Sequence, residues 1–386
     1  MVPNGWNEYE LHELCIKPIS YGIVQTGENI INGIPCIRVV DLTTEKMRPD
    51  EMIKTSHQIN KAYQKTILEK NDIVMALRGE VGLVRIIESH LIGANITRGL
   101  ARISARKEIV YPKYLLWQLR SPKFRTDLIR RVGGSALQEI SLTELRKVKS
   151  LVPPLAEQQK IAQILSTWDK AIAVTEKLLA NSQQQKKALM QQLLTGKKRL
   201  LDENGVRFEG EWEEVLLGDI AKITTGSSNR QDSNLNGEYT FFDRSEDIRT
   251  SNIYLFDCEA VIVPGEGQDF VPKYFVGKFD LHQRTYAIMD FISHDGKFLF
   301  YAIHYFRSYF LSQAVGSTVK SLRLPMFQKM KISLPELAEQ QKIAKVLSTA
   351  DQEIEALQRK LDGLQQEKKA LMQQLLTGKR RVKVAA

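Results

Sequence analysis

No stretch of the 386 residues approaches the run of roughly 20 apolar residues that a membrane-spanning helix needs, so no span is expected. The opening segment MVPNGWNEYELHEL is acidic and polar and has no apolar centre, so a secretory leader is not expected either. Cysteine is scarce. Cys15, Cys36 and Cys258 are odd in number, widely spaced and outside any C-x-x-C pattern. That argues against a disulfide framework or a zinc site and points to a reducing cytoplasm. Histidine numbers only six. His282, His294 and His304 lie near one another but lack metal-ligand spacing, and are read as structural or surface residues. Acidic residues are also short: 45 against 55 lysines and arginines, for a net charge of +10. The excess favours a polyanionic partner, of which nucleic acid is the commonest, over the alternative of a generic basic protein.

What is present is a repeat. Residues 153–196 read PPLAEQQKIAQILSTWDKAIAVTEKLLANSQQQKKALMQQLLTG, and residues 335–378 read PELAEQQKIAKVLSTADQEIEALQRKLDGLQQEKKALMQQLLTG. Ala156 aligns with Ala338 and Lys186 with Lys368, a constant offset of 182 without gaps. Each copy follows proline, which suits a helix start, and ends at a glycine, Gly196 or Gly378, which suits a helix stop. In the first copy Ile161, Leu165, Trp168, Ile172, Thr175, Leu179, Ser182, Lys186, Leu189 and Leu193 are spaced alternately four and three, a heptad seam weakened by Thr175, Ser182 and Lys186. The second copy repeats it from Ile343 to Leu375 with a more apolar middle. About 40 residues give a rod of roughly 60 Å. Two such seams predict an antiparallel pair. The alternative is that each helix packs on its own globular part.

The hydrophobic content of 43% suffices for packed cores, and the length for two domains and connectors. Residues 1–152 form a first unit with β-type runs at 34–42, 72–77, 83–87 and 100–103, then a helical pattern over 111–132 broken at Ser121-Pro122, and a short extended run at 147–152. Gly133-Gly134-Ser135 is expected to close that helical pattern. The long helix fills 153–199 and a short basic linker, KKRLLDENGV, follows it; the second unit fills 200–334, and the second long helix and a tail fill 335–386. Trp6 and Trp212 open the two units in equivalent places, DIVMALRG resembles AVIVPGE, and the pairs Gly134-Ser135 and Gly316-Ser317 again differ by 182. The chain is therefore read as a tandem duplication whose globular parts diverged while its helices did not.

No catalytic constellation stands up. Val152-Pro153-Pro154-Leu155 lacks the amide or acid and the aromatic of the Asn/Asp-Pro-Pro-Tyr/Phe motif of amino-methyltransferases, and reads as a helix start. Pro264-Gly265-Glu266-Gly267 lacks the rest of a dinucleotide fingerprint. Binding remains. Arg38, Arg78, Arg98 and Arg102 in the first unit, and Arg244, Arg249, Lys273 and Arg284 in the second, are candidates for phosphate or guanine contacts. Asn95, Gln268 and Gln283 are candidates for reading adenine. Each alone also reads as a solvated or ion-paired surface residue. The basic runs 197–199 and 379–381 read as phosphate-facing or simply solvated.

The segments PPLAEQQKIAQILSTWDKAI and LPELAEQQKIAKVLSTADQEI, the shared QQLLTGK, the GW-x-x-x-x-L opening and the Gly-Ser turns resemble the specificity subunits of type I restriction-modification systems. The resemblance covers nearly the whole chain. It implies an α+β fold with two mixed α/β target recognition domains, joined by two long helices in an antiparallel coiled coil with pseudo-twofold symmetry. It implies that each domain reads one half of a bipartite DNA site, and that the chain has no catalytic activity and binds no cofactor of its own. Two modification subunits would use S-adenosylmethionine to methylate adenine N6, and restriction subunits would add an endonuclease needing ATP and Mg2+. Readers on one face of a duplex commonly sit about one turn, ~34 Å, apart. Gln158, Gln159, Lys160, Gln191 and Gln192, with Gln340, Gln341, Lys342, Gln373 and Gln374, are candidates for docking the modification subunits, or else solvated faces kept alike by recent duplication. A DNA-binding coiled-coil protein acting alone, the target-recognition part of a split methyltransferase, and a structural scaffold are the competing readings.

Overall fold

A computed structural model describes residues 2–44, 46–133, 138–245 and 247–384. The expected Gly134-Ser135 turn lies outside the described residues. Four helices organise the chain: α1 (Pro112–Arg120), α2 (Leu155–Leu193), α3 (Gly296–Tyr305) and α4 (Leu337–Leu375). None of the described helices is long and apolar enough to cross a membrane. The chain divides into two compact units, Met1–Thr175 with Lys360–Ala386, and Glu176–Arg359. This differs from the division expected from sequence, which set the long helices apart. Each unit instead incorporates a length of both.

In the first unit the strand Asn7–Glu10 pairs antiparallel with Lys149–Val152, so the chain start is tied to the strand that leads into α2. A four-stranded antiparallel sheet orders Ser20–Tyr21, Leu100–Ile103, Ile73–Ala76 and Val84–Ile86. A three-stranded one places Ile34–Ile37 between Ile53–Thr55 and Asn95–Ile96. The run expected over 34–42 stops at Ile37 and turns into a 3-10 helix, Val39–Thr43, whose start is capped by the Asp41 carboxylate accepting from the Arg38 amide at 2.7 Å. The break at Ser121-Pro122 is present. Ser121 ends α1, and its hydroxyl accepts from the Phe124 amide to start the next helix, Pro122–Arg130.

The second unit repeats the plan with a larger sheet. Glu213–Leu216 pairs with Lys331–Leu334. Six strands then run in the order Lys222–Thr225, Thr285–Met289, Phe256–Pro264, Lys273–Leu281, Tyr239–Phe242 and Arg249–Ser251. Of the two nine-residue strands at its centre, Phe256–Pro264 is buried on both faces over 260–263: Val261 and Val263 enter one apolar cluster, and Ala260 and Ile262 another, with Phe279 and Leu281 of the neighbouring strand.

Within each unit the long helices run antiparallel. In the first, Asp169 meets Lys368 at 2.5 Å, while Glu157, near the start of α2, meets Arg381 beyond the end of α4. In the second, Asp351 meets Lys186, and Glu339, near the start of α4, meets Arg199 beyond the end of α2. The seam positions Thr175, Leu179 and Ser182 are buried, as are Ile343, Leu347, Leu361 and Leu375. The helix ends also enter the globular cores. Ile161, Leu165 and Leu375 pack with Tyr114 and Trp117, and Leu193, Ile343 and Leu347 pack with Phe298 and Tyr301. The helices thus both pair and dock, so the two arrangements expected as alternatives coexist. Arg199 and Arg381 are taken up by these ion pairs, which corrects their reading as phosphate-facing or solvated.

Candidate nucleic-acid interface

Matching backbone hydrogen bonds define one mouth in each unit, at the ends of three strands. In the first unit the Thr97 amide donates to the Ile37 carbonyl, that of Arg98 to Ile23, and that of Leu77 to Gly99, at 2.8–3.0 Å. In the second the His282 amide donates to Phe242, that of Gln283 to Ser228, and that of Gly265 to Arg284, each at 2.9 Å. Ile140 donates to the Leu77 carbonyl as Leu322 does to Gly265, and these two residues are 182 apart. The register places Arg38, Arg78, Arg98 and Gly99 where the second unit has Asp243, Glu266, Gln283 and Arg284. Gly22 and Gly226 are equivalent too: a Cβ on either would lie 1.9 or 1.7 Å from the carbonyl oxygen of Ile96 or Leu281. Only glycine permits so close an approach.

The second mouth brings candidates from three strand ends together. Arg244, Gln283 and Arg284 line an open cleft of about 340 Å³ with Arg230, Asp243, Glu266 and His282. An adjoining cleft adds Gln268 and Lys273. Arg284 and Arg244 both pair with the Glu266 carboxylate, the latter at 3.6 Å. Arg230 bridges to Asp243 at 3.4 Å. The Lys273 ammonium donates to the Ser245 carbonyl at 2.6 Å and lies over the Phe242 ring. Arg249 sits on the edge strand, donating to the Ser233 hydroxyl at 2.6 Å. Arg230, Asp243 and Glu266 carry no signal in the sequence that marks them as candidates; the Pro-Gly-Glu-Gly turn that holds Glu266 reads there only as an incomplete nucleotide loop. In the first mouth Arg38 forks onto Asp41 at 2.9 and 3.1 Å, and Arg78 pairs with Glu139 at 3.0 Å. Arg98 is exposed, with no side-chain partner among the described residues.

Four candidates are misplaced. Asn95 is fully buried: its amide donates to Asn60 and Tyr63, and its oxygen accepts from Thr66 and its own neighbour Ile96. Arg102 is buried against Asp72 at 2.7 Å, with Ser104 donating to the other carboxylate oxygen at 2.6 Å. Both lie on inward-facing strand positions, where burial demands partners and leaves nothing for DNA. Gln158 and Gln340 are buried as well. The Gln158 amide donates to the carbonyls of Pro153 and Ile109, and its oxygen accepts from the Tyr111 amide. Gln340 donates to Pro335 and accepts from Asp295. Each holds the residue that opens α1 or α3, so these glutamines recur for an internal reason and not for docking.

Gln159, Lys160, Gln191, Gln192, Gln341, Gln373 and Gln374 are exposed. Lys342 is half-buried and donates to the Asp202 carbonyl at 3.2 Å; with Gln341 it lines a cleft beside Asn204 and Phe208.

The sequence profile described as "Type I restriction modification DNA specificity domain" matches residues 3–181 and 209–366. The chain is 31% identical over 165 residues to the EcoBI type I restriction enzyme specificity subunit of Escherichia coli, a match spanning 42% of this chain and 35% of that one. It is 24% identical over 423 residues to the MjaVIII specificity subunit of Methanocaldococcus jannaschii, covering 98% and 96%. Its fold is similar to the crystal structure of a type I restriction-modification S subunit from M. genitalium, with a TM-score of 0.66 and 15% identity over 97% and 98% of the two chains.

Proposed function

The chain belongs to the type I restriction-modification DNA specificity family, and on that premise we propose that its two units read the two halves of an asymmetric, bipartite DNA site. One observation carries this reading. The two units build the same mouth from the same backbone register and fill it with different side chains. Equal scaffolds with unequal readers give two half-sites of unlike sequence. Arg38, Arg78 and Arg98 serve the first half-site, and Arg244, Arg249, Gln268, Lys273, Gln283 and Arg284 serve the second. Exposed Gln159, Lys160, Gln191 and Gln192, with Gln341, Gln373 and Gln374, offer two docking faces for two modification subunits. Those subunits supply S-adenosylmethionine-dependent methylation of adenine N6, and restriction subunits the ATP- and Mg2+-dependent cleavage; this chain is non-catalytic.

Mapping methylated adenines in cells that express the chain with its modification subunits tests the proposal. Two unlike short motifs separated by a fixed gap are expected. A continuous or palindromic motif sinks it.

A further inference from the structure

The arginines of the mouths fall into two kinds. Glu266 has a side chain only 14% exposed, and it lies between Arg244 and Arg284, which are 58% and 63% exposed. The carboxylate sits below and the guanidinium groups above it. Behind Arg284 the turn is fixed, because its amide donates to the His282 Nδ1 at 3.0 Å. Asp243, 3% exposed, repeats the arrangement beneath Arg230. In the first mouth Arg78 is held by Glu139. Arg98 has no such support among the described residues.

The difference has a chemical meaning. A guanidinium has five N–H donors, so it can give some to a carboxylate and still present a two-donor edge. The carboxylate cancels much of its charge, which weakens attraction to phosphate. It also holds the side chain in one pose, which lowers the ordering entropy on binding. A guanine edge with its O6 and N7 acceptors needs a posed fork more than it needs charge. A phosphate needs the charge and tolerates a mobile side chain.

We propose that Arg284 reads guanine in the second half-site, that Glu266 is its positioning residue, and that Arg98 contacts phosphate. The counterpart of Glu266 in the first mouth is Arg78, itself held by Glu139 from a different segment. Arg38, forked onto Asp41, is held by a carboxylate as well. Gly99 stands where the second unit has Arg284, so the Arg284 fork has no equivalent in the first mouth and the two half-sites differ at the base it reads. This rests on the DNA-reading role proposed above.

The test selects duplexes from a randomised pool with the full chain, alone and with its modification subunits, and measures affinity against salt concentration. Arg284→Ala is expected to lower discrimination at one G·C pair of one half-site by about 10- to 100-fold with the salt slope unchanged. Glu266→Gln should lower the same discrimination while steepening the salt slope, since the freed arginines then find phosphates; a merely structural carboxylate would not do so. Arg98→Ala should reduce the slope by about 0.9 and leave both motifs intact. A wild-type chain that enriches no sequence overturns the DNA-reading role itself. A wild type that enriches a bipartite site which Arg284→Ala also enriches, unaltered, overturns the assignment to guanine. An altered motif in Arg98→Ala overturns the sorting of arginines.

Discussion

Burial holds the His304 imidazole down at about 4, with the charges of Arg307 and Lys186 acting in the same direction and Asp351 opposing them. The folded chain therefore binds this proton less readily than the unfolded chain, in which histidine titrates near 6.5. Its contribution to stability is complete above that value and is lost as pH falls from about 6.5 towards about 4. Urea unfolding of the wild type and of His304→Gln at pH 7.5 and pH 5.5 should show a smaller loss on acidification in the variant; an equal loss contradicts the assignment. The same scale explains the misplaced candidates. Arginine and asparagine look alike in a sequence whether they face water or a strand interior, and only the position of Asp72 against Arg102, or Thr66 against Asn95, tells them apart.

At the scale of elements, the long helices end as their glycines imply. Gly196 and Gly378 take φ values of +67° and +70°, and Trp212 and Trp6 pack against them. A Cβ on Gly378 would lie 2.5 Å from Pro3 Cγ in a backbone region that L residues disfavour. Gly363, inside α4, has nothing within 4 Å of that position. Gly378→Ala should destabilise the chain by about 1–2 kcal/mol, and Gly363→Ala should stabilise it by about 0.5–1 kcal/mol. Opposite shifts of the urea midpoint check the pair. The equivalent residues Trp117 on α1 and Tyr301 on α3 explain part of the seam's polarity. Lys368 lies 5.1 Å from the Trp117 ring and Lys186 5.5 Å from that of Tyr301, each also pairing with the aspartate of the other long helix. Lysine at that seam position, a defect in an apolar reading, locks a globular part onto the helix pair.

For the whole molecule, the duplication makes the helices a ruler in the proposed function. One heptad added to both, after Thr175 and before Lys360, keeps the seam in phase. It lengthens each helix by about 10 Å, or about three base pairs at ~3.4 Å each. The methylated motif should keep both half-sites and gain about that much gap. Altered half-site bases would contradict the ruler.

Sequence alone determined the duplication, the two long helices with their starts and stops, most core strands of the first unit and the family, because these depend on local periodicity and on residues kept at a fixed offset. It did not reveal the strands Asn7–Glu10 and Asn95–Ile96, which are too short or too polar to signal themselves and exist through pairing with distant partners. Nor could it sort the arginines. Tertiary structure decided that Arg102 is a core residue, that Arg199 and Arg381 clasp helix starts, and that Arg284 and Arg244 share the carboxylate of Glu266. Each of those outcomes depends on burial and on a partner far along the chain.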